Sequence, residues 1–274
     1  MTVNIKEKIL NNKTNLIILL YAVLMGIAGI FDLQISESLV NRNSGWAKVI
    51  EDYGELPGII TILTAIFIYH KKKKHSSNAR TILYSFILTY SAFMLFSYTG
   101  IVLFKPFLNS FYPVIIFASV LMLISVVLVK KLKVDFSETA FYFSKVVLLM
   151  GIFGYVLFVQ PLKIFWGRVR FRDLEPLFTD FTNWYVPNGI TGSDSFPSGH
   201  SAMGFVLISF FILFRNKNFN AKFVIYSFAL IWAVAVAASR VVIGAHFLSD
   251  VIVGSMGMMF VYLYFSKPER AKNI

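Results

Sequence analysis

Long apolar runs separated by short polar breaks set the rhythm of this chain. Eight such runs fall at about residues 15–31, 56–69, 81–104, 112–129, 146–160, 201–214, 223–239 and 251–265. Their apolar positions surround the helix instead of striping one face at a 3.6-residue period. That pattern belongs to helices solvated by hydrocarbon, since a water-facing helix needs a polar side. A span needs about 20 residues, so the shorter runs, above all the second and sixth, reach that length only through flanking polar positions. The pattern predicts an all-α fold, a polytopic transmembrane helical bundle of about eight spans. The first run lacks a small-residue cleavage site and is followed by further spans, so no cleavable signal peptide is expected.

Composition agrees. Residues of hydrophobic type make up 57% of the 274, and charged ones only 15%, against about a quarter in a soluble domain. A net charge of +12 would suit a nucleic-acid partner, but the basic residues sit in short breaks between apolar runs. Placement of that kind reads as a topology signal and as attraction to anionic lipid, so no nucleic-acid partner is expected. With the N-terminus on the cytoplasmic side, most of the 26 lysines and arginines fall inside: Lys6, Lys8 and Lys13, Lys71 to Lys74 with Arg80, Lys130, Lys131, Lys133 and Lys145, Arg215, Lys217 and Lys222, then Lys267, Arg270 and Lys272. Both termini are then cytoplasmic. The absence of cysteine rules out disulfides and thiolate metal sites.

Two segments on the opposite side carry more than connection. Trp46, Val49, Ile50 and Tyr53 recur at helical spacing among charged residues, the pattern of a short interfacial helix or of an ordinary structured loop. Residues 161–197 form a long segment rich in arginine, aromatics, glycine and proline, and such loops often carry function.

Three clusters lie on that same side, at Lys163 to Arg172, at Phe196 to Ser201, and at Ser239 to Asp250. Arg170 and Arg240 offer planar forks of donors suited to phosphate oxygens, and Lys163 a mobile charge. Pro197-Ser198-Gly199 leads into a helix whose first amides lack intrahelical partners and can face an anion. His246 and Asp250 are four apart and would share a helical face, with the carboxylate holding one ring nitrogen and leaving the other free to attack. Singly, each is commonplace: an interfacial basic cluster, a turn, a structural pair. Their convergence on one membrane face, under an orientation derived from other residues, makes function the default reading.

Together these residues resemble the type 2 phosphatidic acid phosphatase (PAP2) superfamily, whose motifs are Lys-x6-Arg-Pro, Pro-Ser-Gly-His and Ser-Arg-x5-His-x3-Asp. Lys163 and Arg170 keep the first spacing, Pro197 to His200 complete the second, and Ser239, Arg240, His246 and Asp250 complete the third. Phe171 stands where the first motif has proline, which removes a restraint on the backbone aiming Arg170. Arg168 and Arg172 are additional candidate phosphate ligands. The resemblance places a catalytic core at residues 138–274, preceded by N-terminal spans and an amphipathic outside segment at 1–137. It implies a multi-pass protein of the cytoplasmic membrane, with the site on the extracytoplasmic face. It also implies hydrolysis of a lipid phosphate or diphosphate, such as undecaprenyl diphosphate, phosphatidylglycerol phosphate or phosphatidic acid, without metal or other cofactor. His246 would be the nucleophile, Asp250 its orienting partner and His200 the proton donor. Lys163, Arg170, Ser198, Gly199 and Arg240 would hold the phosphate. A lipid phosphotransferase using the same site, and a non-catalytic carrier of anionic lipid, remain as alternatives.

Overall fold

The computed structural model describes residues 2–72, 78–104, 112–131 and 134–267. Lys73, Lys74, Lys105, Lys133, Arg270 and Lys272 of the charge pattern lie outside the described residues. Among those described, every regular element is a helix. In chain order these are α1 (Thr2–Leu39), α2 (Gly45–Tyr53), α3 (Leu56–Lys72), α4 (Asn78–Phe104), α5 (Tyr112–Lys131), α6 (Glu138–Leu149), α7 (Gln160–Trp166), α8 (Gly199–Phe205), α9 (Phe210–Phe214), α10 (Phe219–Val242) and α11 (Leu248–Phe265). Each of the eight apolar runs lies within helix. Among the described residues, five helical stretches are long and apolar enough to cross a membrane: Thr14–Leu39, Gly45–Lys72, Glu138–Asp173, Phe219–Val242 and Leu248–Phe265. Shorter apolar helices cover Tyr112–Ser125 and Gly199–Phe214.

The outward faces are apolar, as hydrocarbon solvation requires. Ile30, Ile82, Phe86, Leu123 and Ile231 are all at least two-thirds exposed. Water would penalise each; lipid does not. The helix through the first motif is longer than its apolar run suggests, because α6 continues through a π-helical stretch, Met150–Val159, into α7. Proline at 161 lacks the amide that would close an α-helical bond to Leu157, and the wider register precedes it. Lys163 therefore sits on a helix. Gly167, at φ 58°, ends α7 in the left-handed conformation that favours glycine.

Helix α8 lies at the centre, packed by α3, α10, α11 and the π stretch. Two glycines admit its neighbours. A methyl on Gly58 of α3 would collide with the Met203 carbonyl oxygen, and one on Gly254 of α11 would collide with that of Ser198. Close approach of helices through small residues substitutes for the hydrophobic drive that lipid does not supply. The core beneath α8 includes Val146, Met150, Met203, Val206 and Met258. Helix α1 packs on α11, while α4 pairs with α5 and touches α3.

Helix α3 begins beside His200, where Glu55 precedes it, and ends at Lys72, paired with Asp135 at 3.1 Å and Glu138 at 3.3 Å. Its 17 residues separate the two ends by roughly 25 Å at 1.5 Å per residue. The motif clusters and the lysine-bearing end therefore occupy opposite ends of the bundle. Cysteines placed at Ile190 and at Asn216 in this cysteine-free chain should react with a membrane-impermeant maleimide from opposite sides of sealed vesicles. Labelling of both from one side would contradict this arrangement.

Candidate active site

Local structure explains how the second motif is displayed. Ser198 is the N-cap of α8 in an extended conformation, and its hydroxyl accepts from the Ser201 amide. The Ser198 amide donates to the Asp250 carbonyl at 2.9 Å, tying this turn to α11. Gly199 begins the helix, where an amide has no partner within the helix, close to Lys163 and Tyr155: a methyl there would stand 3.6 Å from Lys163 Cε.

The third motif differs from a shared helical face. His246 precedes α11, whose N-cap is Phe247, and a turn through Gly244 at φ 68° delivers it. Asp250, three residues past the N-cap, turns back so that Oδ2 accepts from the Phe247 amide at 2.9 Å. The His246 Nδ1 contact at hydrogen-bonding distance is the Ser195 carbonyl, 2.6 Å away, with Asp250 Oδ2 at 3.7 Å. A carbonyl only accepts, so Nδ1 carries the hydrogen and the neutral ring keeps its lone pair on Nε2. The predicted tautomer is thus obtained mainly through a backbone carbonyl, and Asp250 acts from slightly farther off. Burial, with the charges of Lys163 and Arg240 reinforcing it, pushes the His246 pKa down to about 4 against the pull of Asp250.

The basic residues divide into two kinds. Arg168 is 1% exposed and spends all three guanidinium nitrogens on protein acceptors, including Asp250 Oδ1 at 2.6 Å and the Thr182 carbonyl at 2.9 Å. The others meet acids that bridge them in pairs. Asp194 bridges Lys163, at 3.5 Å, and Arg170, at 2.6 Å, and these two cations with His246 hold its carboxyl below the usual range although burial opposes them. Glu51 bridges Arg172, at 3.1 Å, and Arg240, at 3.3 Å. Among the described residues, Arg240 Nε and Nη1 and Arg170 Nε are buried with no hydrogen-bond partner. His200 places Nδ1 3.1 Å from Glu55 Oε1, and Nε2 donates to the Glu51 carbonyl at 3.1 Å. Glu55 also accepts from the Tyr98 hydroxyl.

All eight residues expected at the site, together with Arg168 and Arg172, therefore gather at one end of the bundle. What the motifs did not disclose are their partners: Asp194 and Ser195 in the long loop, Glu51 and Glu55 around α2, and Asp32 on α1. A carboxylate closing an apolar run was the one available signal for Asp32. Helix α2 itself carries Trp46, Val49 and Tyr53 outward, each more than 40% exposed, and its Glu51 inward. Among the described residues, no group of three or more His, Asp or Glu stands in a metal-holding arrangement.

The depressed His246 pKa has a stability consequence. Its folded value, about 4, lies below the ordinary 6.5, so between these the unfolded chain binds a proton that the folded chain refuses. The contribution is complete above about pH 6.5 and is lost as pH falls through 4. The unfolding temperature should drop more steeply over that window in the wild type than in His246→Gln, measured in the same detergent. Equal slopes would show that His246 is not held neutral.

Residues 144–272 match the PAP2 superfamily, a span that holds all three motifs. Phosphatidylglycerophosphatase B of Bacillus subtilis (strain 168) is 35% identical over 97 residues, covering 32% of this chain and 46% of that protein. No solved structure matches the chain. Motif spacing and sequence similarity thus agree in likening residues 144–272 to the PAP2 superfamily.

Proposed function

We propose that this protein is a lipid phosphatase that cleaves a phosphomonoester or diphosphate through a phosphohistidine on His246, without a metal. The observation that carries the reading is the set of buried, unpartnered donors on Arg170 and Arg240 beside a neutral histidine. Each unpaired buried donor costs about 1–3 kcal/mol. A phosphate, with acceptor oxygens on every side, recovers that cost. It does so at a position where Lys163, Ser198 and the Gly199 amide add further donors.

In the first step the Nε2 lone pair of His246 forms a bond to phosphorus as the phosphorus–oxygen bond to the lipid breaks. The bonding electrons leave on the lipid oxygen, which takes a proton from the imidazolium form of His200, whose Nδ1 faces the Glu55 carboxylate. Nδ1 keeps its hydrogen, so the ring becomes cationic, and the Ser195 carbonyl and Asp250 carboxylate oppose that charge. In the second step water attacks phosphorus, His200 takes its proton, and the phosphorus–nitrogen bond breaks to return His246. Lys163, Arg170 and Arg240 stabilise the nonbridging oxygens throughout, usually a leading contribution to phosphoryl transfer. Binding exchanges phosphate for the carboxylates of Asp194 and Glu51 on these cations. Arg168, with every nitrogen committed, stands behind the site, and Arg172 lies at its rim.

The lysine-rich end of the bundle suits the cytoplasmic face, which puts the site at the opposite, extracytoplasmic surface of the cell membrane. Residues 138–274 hold the catalytic groups and 1–137 supply the preceding spans. The B. subtilis relative favours phosphatidylglycerol phosphate among the substrates; undecaprenyl diphosphate and phosphatidic acid complete the panel. The phosphotransferase alternative differs in using an acceptor hydroxyl in place of water.

The test is phosphate release from those three lipids and from an aryl phosphate by purified protein. His246→Ala should abolish both release and acid-labile phosphate on the protein, and Asp250→Asn should lose most of the rate. His200→Ala should lose far more on a lipid phosphate than on the aryl phosphate, whose leaving group needs little protonation. Near-normal turnover by folded His246→Ala would refute the nucleophile.

In a separate assay, turnover should persist in excess chelator. Loss restored by one divalent cation would argue for a metal centre.

A further inference from the structure

Helix α1 lies outside the PAP2 match, yet it places a carboxylate in the most buried part of the site. Asp32, 2% exposed, follows the first apolar run. Its Oδ1 accepts from the Ser249 amide at 2.9 Å, and its Oδ2 accepts from the Ser249 hydroxyl and from Arg168 Nη2, the latter at 2.9 Å. The Ser249 amide is among the first of α11, which have no partner within the helix. Asp32 thus caps α11 from a position 217 residues away in sequence.

Arg168 carries the connection onward. Its Nη1 donates to Asp250 Oδ1 at 2.6 Å and to Ser249 Oγ at 2.8 Å, while Nε is held by the Thr182 carbonyl. The guanidinium lies 4.0 Å from the centre of the Phe247 ring and 5.6 Å from that of Phe181. The Arg168 carbonyl accepts from the Ser195 amide at 3.0 Å, and Ser195 in turn holds both the Asp250 carboxylate and the His246 ring.

We propose that Asp32 and Arg168 are positioning residues that form a carboxylate–guanidinium clamp fixing Asp250 and Ser195 behind His246. This rests on the phosphohistidine reading and adds α1 to the apparatus. Stability alone is a poor explanation for such a cluster. Desolvating buried ions cancels much of their attraction, and apolar side chains of similar volume often do as well. Orientation is what the cluster supplies. A planar guanidinium gripped on three edges and stacked on an aromatic face has little freedom, and it transmits that rigidity to Asp250. A lysine at 168 would keep the charge but could not span both carboxylates and the Thr182 carbonyl.

The experiment is a double-mutant cycle on the full-length protein, using para-nitrophenyl phosphate and phosphatidic acid. Asp32→Asn and Arg168→Lys should each lower kcat by between about twofold and a hundredfold, the range of coupling within one charged network. KM should stay unchanged, because neither residue touches the phosphate. In an Asp250→Asn background, Asp32→Asn should lower kcat no further, since the group through which it acts is already disabled. A loss of the same factor in both backgrounds would mark Asp32 as merely structural and overturn the proposal, as would a wild-type kcat or a change confined to KM. Should Asp32→Asn not accumulate in folded form, Arg168→Lys completes the same cycle. His246→Ala in parallel separates the two claims. If it is inactive while Asp32→Asn and Arg168→Lys are normal, the clamp alone fails. If it is active, the nucleophile assignment fails and the clamp with it.

Discussion

A carboxylate with no access to water, at the end of a helix in a bundle solvated by lipid, dictates much of this architecture. Asp250 is fully buried, and an ionised group there must be met by donors on every side. Its own helix supplies one, through the Phe247 amide; the long loop supplies another, through the Ser195 hydroxyl; the end of the first-motif helix supplies the third, through Arg168. Satisfying one side chain thus brings three distant segments into register. The His246 ring is placed by the same set, because the Ser195 carbonyl that receives Nδ1 belongs to the residue whose hydroxyl serves Asp250.

A second balance governs the basic side of the site. Four cations within a low-dielectric end of a bundle would repel one another, and each would pay for lost hydration. Asp194 and Glu51 offset this by bridging them two and two. The bridging is incomplete, since donors on Arg170 and Arg240 remain without partners. A site of this kind suits exchange: in the proposed reaction an incoming phosphate replaces the carboxylates and also fills the unmet valences. The acids come from the long loop and from α2, elements at the periphery of the bundle, whereas the histidines lie at the start of α8 and in the turn before α11. Placing the exchangeable partners on peripheral elements and the two histidines at packed helix starts lets the site, in the proposed reaction, open to a ligand without loosening His246.

The scaffold makes this possible by close approach. Glycines at 58 and 254 bring α3 and α11 against the backbone of α8, so the displayed turn at Ser198 is gripped from both sides. Met203, Val206 and Met258 fill the space below. The α4 and α5 pair packs mainly on itself, although Tyr98 of α4 reaches Glu55 and so meets the histidine side of the site.

Much of this was legible from residue order alone. Apolar runs disclosed the helices, because hydrocarbon leaves the backbone no other satisfied state than a helix or a closed barrel. Motif spacing pointed to His200, His246, Asp250 and the basic residues, which the fold brings to one end of the bundle. What the order of residues did not contain is how the charges are paired. Pairing depends on which helix ends meet, and residues 32, 51, 55, 168, 194 and 250 meet only after helices far apart in sequence have packed. Arg168 shows the difference most clearly. By spacing it was one more candidate cation for a phosphate; in three dimensions it is buried and committed to two carboxylates, Asp32 and Asp250. The identity of the chemical groups was therefore local information, while their roles followed from desolvation, which only the packed structure imposes.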